Sequence, residues 1–195
     1  RQFIAASSGL LVLTGPAGAG KTTNLYALLQ EIQTLCPGQS LVTLEDPVER
    51  DLPGVTQIQV QPFGQLTYER ALRSILRQDP QVLMLGEIRD AATASLAVQA
   101  SLTGHKLVCT LHAPTCAQAI ARLLEMGIEP YQISSSLFGI VSQRLLRRLN
   151  PSPDGPAYKG RVPAAEWVAV DDRLRRLIVE KADASTLRNA YADQP

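Results

Sequence analysis

The sequence predicts an α/β fold, a mostly parallel sheet covered by helices on both faces, with a small C-terminal appendage. Three observations carry this. Short apolar runs alternate with segments whose apolar residues recur at helical spacing, as in strands joined by crossover helices. The runs are unbroken, as expected of strands buried on both faces. The first of them, Leu10-Leu11-Val12-Leu13, leads into Gly15-Pro16-Ala17-Gly18-Ala19-Gly20-Lys21-Thr22. That segment fits G-x-x-x-x-G-K-[ST] at every fixed position, a phosphate-binding loop that joins a strand to a helix.

After the loop, Leu25, Ala27, Leu28, Leu29 and Ile32 predict a helix over 22–35, stopped by Pro37-Gly38. Residues 41–44 read as a buried strand ending in Glu45-Asp46, where Pro47 forces a loop. Alternation over 55–60 suggests a half-exposed strand. Thr67 can cap a helix running to Gln78, with Leu72, Ile75 and Leu76 on one face and Asp79-Pro80 as its stop. A buried strand over 82–85 closes on Gly86-Glu87, followed by a small-residue helix over 91–102, a strand over 106–111 and a helix over 116–126. Pro130 opens a longer helix with an apolar stripe of Ile133, Leu137, Ile140, Val141 and Leu145. It ends near the basic run 144–148, whose charge suits a helix C-terminus, a subunit contact being the other reading. Residues 150–160 have the composition of a surface loop, and a short strand over 162–170 and a helix over 172–180 follow. The expected division is a core over 1–149 and an appendage over 150–195.

Composition narrows the class. At 195 residues the chain can hold one packed core and a small appendage, not two large domains. Nineteen basic against eighteen acidic side chains leave no broad positive face for nucleic acid or anionic lipid. Cys36, Cys109 and Cys116 form no C-x-x-C pair, and their odd number argues against a disulfide framework. A reducing, cytoplasmic setting is therefore expected. No apolar run approaches the roughly 20 residues that span a bilayer, so any membrane association is expected to be peripheral or through a partner. The chain opens on Arg1 with the first strand almost at once, and reads as a fragment of a longer protein.

The loop's glycines let consecutive N–H groups turn inward around the β- and γ-phosphates, Lys21 supplies a point charge, and Thr22 offers its hydroxyl to Mg²⁺. Gly15, Pro16, Ala17, Gly18, Ala19, Gly20, Lys21, Thr22 and Thr23 form the expected binding set. In a doubly wound sheet the ligand crevice lies at the carboxyl ends of the strands. Glu87 stands where a phosphate-loop protein needs a carboxylate to hold Mg²⁺, usually through water; an ordinary charged strand terminus is the alternative. Glu45 can accept the proton of an attacking water, or only cap the next segment. His112 can report the γ-phosphate by a hydrogen bond, while His105 is as readily a satisfied core histidine. A metal set of His105, Cys109, His112 and Cys116 is disfavoured, because histidines at the two ends of one strand face opposite ways. Arg77 and Arg89 are candidate charge stabilisers, although exposed arginines are more often simply solvated.

The order of the motifs is more specific than any one of them. Thr43-Leu44-Glu45-Asp46-Pro47-Val48-Glu49, Leu76-Arg77-Gln78-Asp79-Pro80, Gly86-Glu87-Ile88-Arg89-Asp90, and Thr103-Gly104-His105 through Thr110-Leu111-His112 follow the loop in sequence. Together they resemble the secretion ATPase family, the hexameric motors of type II secretion and type IV pilus assembly, over roughly residues 1–149. The resemblance implies a RecA-like P-loop NTPase core in which Glu45 lies in the aspartate box, Glu87 in the Walker B motif and His112 in the histidine box. It further implies ATP and Mg²⁺ as cofactors and hydrolysis coupled to subunit motion. The implied partners are a homo-hexamer and an inner-membrane platform protein, with a cytoplasmic location peripheral to that membrane, no direct insertion and no nucleic acid. Family members place an N-terminal domain before this core that lends arginines to a neighbour's ATP, so the fragment alone is expected to be weakly active. Many also carry a cysteine-rich zinc loop after a segment like Gln143-Arg144-Leu145-Leu146-Arg147-Arg148-Leu149. Here Asn150-Pro151-Ser152-Pro153 follows without cysteine. No zinc is expected, and Gly160-Arg161 and Glu166 suggest a shortened loop. Ala113-Pro114 also departs from the family's usual continuation after the second histidine. The expected function is a motor subunit powering pilus or pseudopilus assembly. The alternatives are pilus retraction, type IV secretion, or a nucleotide-binding assembly module without meaningful hydrolysis.

Overall fold

The unbroken apolar runs become strands whose alternate side chains feed two separate cores. The computed structural model describes residues 2–61, 64–152, 156–192 and 194. Its strands are β1 (Gly9–Thr14), β2 (Leu41–Glu45), β3 (Thr56–Gln59), β4 (Val82–Ile88), β5 (Lys106–Leu111), β6 (Leu137–Leu149) and β7 (Tyr158–Ala169). They form one sheet in the order β3-β2-β4-β5-β1-β6-β7, every pair parallel except β6 with β7. Successive side chains point to opposite faces. Leu10, Val12, Leu83, Leu85, Leu107 and Cys109 therefore enter one core, and Leu11, Leu13, Val82, Met84 and Val108 enter the other.

Six helices cover the first core: α3 (Tyr68–Ile75), α4 (Ala91–Leu102), α5 (Cys116–Glu125), α6 (Pro130–Ser136), α7 (Asp172–Val179) and α8 (Ala184–Tyr191). The second lies under α1 (Gln2–Ala5) and α2 (Lys21–Leu35). Thr67, Asp90, Thr115, Asp171 and Asp183 cap their helices by accepting the N–H three residues on. The start of α2 differs. Its cap is Gly20 in the left-handed region, with no side-chain bond, which leaves that terminus to the phosphate loop. No helix among the described residues is long and apolar enough to cross a membrane.

One long element departs from expectation. The helix read from Pro130 to near the basic run 144–148 stops at Ser136, and β6 replaces the rest. Residues 137–149 pair with β1 on one side and β7 on the other, so a two-sided ladder overrides a helical stripe that would bury only one face. Gly139 was a local sign of this. A Cβ there would stand 2.6 Å from the Trp167 ring and 2.9 Å from the Val168 carbonyl on β7. The basic run 144–148 consequently lies on a strand, and the helix-terminus explanation of its charge does not hold.

Smaller differences lie at element ends and towards both termini, and α1 near the first of these was not expected. A 3-10 turn, Leu76–Gln78, finishes α3, and β7 begins at Tyr158 rather than 162. Helix α8, which no stripe announced, packs on α5 and α7. Residues 153–155 of the loop expected over 150–160 lie outside the described residues.

Candidate nucleotide site

Four neighbouring strands, β2, β4, β5 and β1, end along one edge of the sheet, and the phosphate loop lies there. Within it Gly15, Gly18 and Gly20 have φ of 139°, 70° and 86°, the region that glycine alone adopts freely. Gly15 is also required by close approach: a Cβ there would lie 2.2 Å from the Gln143 carbonyl oxygen. Lys21 Nζ donates to the carbonyls of Gly15 (2.8 Å) and Pro16 (3.0 Å). Burial pulls its pKa down, and the Glu87 carboxylate opposes that pull. Pro16, Ala17, Gly18 and Thr23 are exposed, whereas Ala19 is buried.

Beside the loop is a cleft of about 180 Å³, whose lining includes Lys21, Thr22, Glu45, Asp46, Glu87 and His112. Glu87 reaches it through a register shift. Between Leu85 opposite Cys109 and Ile88 opposite Leu111, β4 carries one more residue than β5. Such a bulge breaks the in-out alternation and re-aims a side chain. Thr110 Oγ1 pins the bulge by donating to the Gly86 carbonyl at 2.6 Å. Glu87 Oε2 then accepts from Arg89 Nε at 2.5 Å, and its Oε1 lies 3.4 Å from His112 Nε2. Arg89 also bridges to Asp46 at 3.3 Å, and the hydrogen bond to Glu87 raises its pKa. Arg89 is thus part of the cleft, while Arg77 is exposed and outside its lining.

Glu45 is only 2% exposed, and donors hold both its oxygens. Thr43 Oγ1 (2.6 Å) and Gln57 Nε2 (3.0 Å) donate to Oε1, and the Tyr26 hydroxyl donates to Oε2. Burial, then this bond, pushes the Tyr26 pKa up to about 12. A carboxylate has about four acceptor sites, so Glu45 can still receive a proton on the cleft side. His112 is set by its neighbours: Thr14 Oγ1 lies 2.9 Å from the Leu111 carbonyl and 2.6 Å from that of Ala113, and accepts the Ala113 N–H at 3.0 Å. His105, at the opposite end of β5, has Nδ1 3.1 Å from the Ala100 carbonyl and takes no part in the cleft. No cluster of three or more His, Cys, Asp or Glu placed to hold a metal occurs among the described residues.

The chain has counterparts among known proteins. A family model described as Type II/IV secretion system protein matches residues 1–194. The chain belongs to that family. It is 43% identical, over 97% of its length, to the type II secretion system protein HxcR of Pseudomonas aeruginosa. It is 40% identical, over 96%, to the type IV pilus assembly ATPase PilB of Thermus thermophilus. It spans 43% of the first relative and 25% of the second. Among solved structures, the pilus retraction motor PilT with bound ADP matches 98% of the chain with a TM-score of 0.80 at 31% identity, and the chain covers 55% of that structure. The fold is thus the RecA-like one of the secretion ATPases.

In this secretion-system family member, Lys21, Thr22, Glu45, Asp46, Glu87, Arg89 and His112 of the residues singled out from the sequence line the cleft; Tyr68 and Thr110 line it too and were not singled out, nor were the partners that hold Glu45. Thr43 was within reach, because residues two apart on a strand share a face and Glu45 is two further on. Tyr26, Gln57 and Gln143 meet their partners only through the tertiary fold, and no local pattern points to them.

Proposed function

We propose that this chain is the ATP-hydrolysing core of a motor subunit that powers pilus or pseudopilus assembly, in type IV pilus biogenesis or type II secretion. One observation carries the chemistry: the Gly86–Glu87 bulge aims a carboxylate into the cleft that Lys21 and Thr22 share with Glu45 and His112. The loop N–H groups and the start of α2 hold the phosphates, and Lys21 exchanges the Gly15 and Pro16 carbonyls for phosphate oxygens. Thr22 and Glu87 offer the hard oxygen donors that suit Mg²⁺, which when bound neutralises charge on the phosphates. Glu45, held on three donors, orients a water and accepts its proton. His112 reaches the γ-phosphate side and couples its presence to Glu87.

Assembly is preferred here because relatives named for type II secretion and type IV pilus assembly match nearly the whole chain at 40–43% identity. A homo-hexamer at the cytoplasmic face of the inner membrane, held there by a platform protein, completes the reading. The test is ATP turnover with Mg²⁺ against protein concentration, with Lys21→Ala as the blank and Glu87→Gln beside it. Lys21→Ala is expected to lose binding, and Glu87→Gln to keep it while turnover falls about 100-fold or more. Wild-type turnover no greater than the blank in the full-length protein would leave a binding-only module. Glu87→Gln at wild-type turnover would remove Glu87 from the chemistry.

A further inference from the structure

The hairpin of β6 and β7 starts inside the sheet and leaves it. The last register between β1 and β6 pairs Thr14 with Ser142, yet β6 continues to Leu149. Beyond Gln143 both strands lie largely in solvent, with Leu146, Leu149, Tyr158 and Val162 exposed. Seven residues of extended chain reach about 20 Å. Because β6 runs parallel to β1, this arm rises from the edge that carries the candidate site.

Gln143 is where the arm meets the loop. It is 3% exposed, and both ends of its amide are used. Nε2 donates to the Ala19 carbonyl at 2.6 Å, and Oε1 accepts from Asn24 Nδ2 on the first turns of α2. Its backbone oxygen lies 2.2 Å from where a Gly15 Cβ would stand, and its Nε2 lies 3.1 Å from that point at Gly20. One residue therefore touches the first glycine of the loop, its last turn and the helix behind it, without lining the cleft. A well-packed contact of this kind transmits displacement rather than absorbing it.

We infer that Gln143 is a positioning residue, which holds the phosphate loop in its binding shape and ties that shape to the β6–β7 arm. The inference rests on the nucleotide reading proposed above. Linkage is reciprocal: phosphates that order the loop also order the root of the arm, and a partner that shifts the arm changes nucleotide affinity by the same factor.

Amide hydrogen exchange, with and without Mg-ADP, and the ADP Kd test this on purified wild type, Gln143→Ala and Gln143→Glu. The glutamate keeps the acceptor for Asn24 and loses the donor to Ala19, with little change of volume. Without nucleotide, exchange is expected to quicken over 15–24 and 143–146 in both variants while β2 and β4 stay unchanged. ADP affinity should fall about tenfold. In the wild type ADP should slow exchange over 143–149 and 158–166, and both variants should lose that protection. Unchanged loop exchange and unchanged ADP affinity in both variants would overturn the positioning role. Exchange quickened evenly over the whole sheet would reduce Gln143 to a general packing residue. ADP binding that leaves the wild-type arm unprotected would break the tie to the arm. Failure of the wild type to bind ADP would remove the nucleotide reading and the linkage with it, and the nucleotide-free exchange would still decide whether Gln143 braces the loop.

Discussion

Glu45→Gln separates the chemistry proposed for Glu45 from its evident role in packing. The substitution keeps the shape and removes the charge. Its remaining oxygen still accepts from Thr43 and Gln57, so the loss concentrates on the Tyr26 contact. A hydrogen bond to a charged group contributes about 1.5–3 kcal/mol, so a loss near 2 kcal/mol is expected. For a chain of this size that lowers Tm by roughly 4–8 °C. Removing a general base slows the chemical step by roughly 10²–10⁴. The two effects separate at 25 °C, where a domain of ordinary stability, about 5–15 kcal/mol, stays folded after losing 2. Tyr26→Phe is the control, since it deletes the same contact and leaves the carboxylate. Single-turnover hydrolysis at saturating Mg-ATP in the full-length protein, with a melting curve for each variant, reads both. Both variants should melt lower, and only Glu45→Gln should lose two orders of magnitude or more in rate. If Glu45→Gln hydrolyses within tenfold of wild type while folded, Glu45 is a structural carboxylate and the base lies elsewhere.

Two further outcomes follow from the geometry. Gly86→Ala places a Cβ 3.0 Å from the Tyr68 hydroxyl and 3.3 Å from the Leu44 carbonyl. A cost of about 1–3 kcal/mol is expected, with turnover falling more than ATP affinity because the bulge carries Glu87; calorimetric binding beside kcat checks the split. Stability should also fall above pH 9. Burial pushes the Cys109 thiol from 9.0 up to about 12 and the Cys116 thiol upward too, and lifts Tyr26 and Tyr191 from 10.0 to about 12. These groups keep their protons longer when folded, so their contribution is complete below the unfolded pKa and is lost as pH climbs towards the folded one. The fully buried Cys109 costs at most about 1.4 kcal/mol per pH unit across that window, and the tyrosines cost less. Lys21 and Lys106, lowered from 10.5 mainly by burial, act oppositely but only up to 10.5. Denaturant midpoints at about pH 8, 9.5 and 11 should therefore decline, and a rising midpoint would contradict the assigned burial effects.

Strands β1, β2, β4 and β5 were legible because each is an apolar run buried on both faces, and the motifs at their ends carried the cleft residues with them. Two kinds of information were not local. The strand state of 137–149 depends on partners on both sides, one of them beyond a loop, and an amphipathic spacing does not report that. The second kind is the aim of a side chain. Glu87 was assigned to the cleft from its place after an apolar run, but what delivers it there is one surplus residue relative to β5, which only the pairing reveals. Arg77 and Arg89 were equal candidates as charge stabilisers in the sequence, and only the fold separates them by placing Arg89 between Asp46 and Glu87.

The sheet order bears on how such a protein diversifies. The strands that carry the cleft residues, β2, β4, β5 and β1, are all interior, while β3 and the β6–β7 hairpin form the margins. At the far tip of the arm, β6 ends seven residues past its last pairing with β1. Insertions or deletions at that tip leave the register of the central strands alone, so lineages can lengthen, shorten or re-equip it without disturbing what the interior strands hold. Drift at the margin and constraint at the centre are thereby built into one sheet.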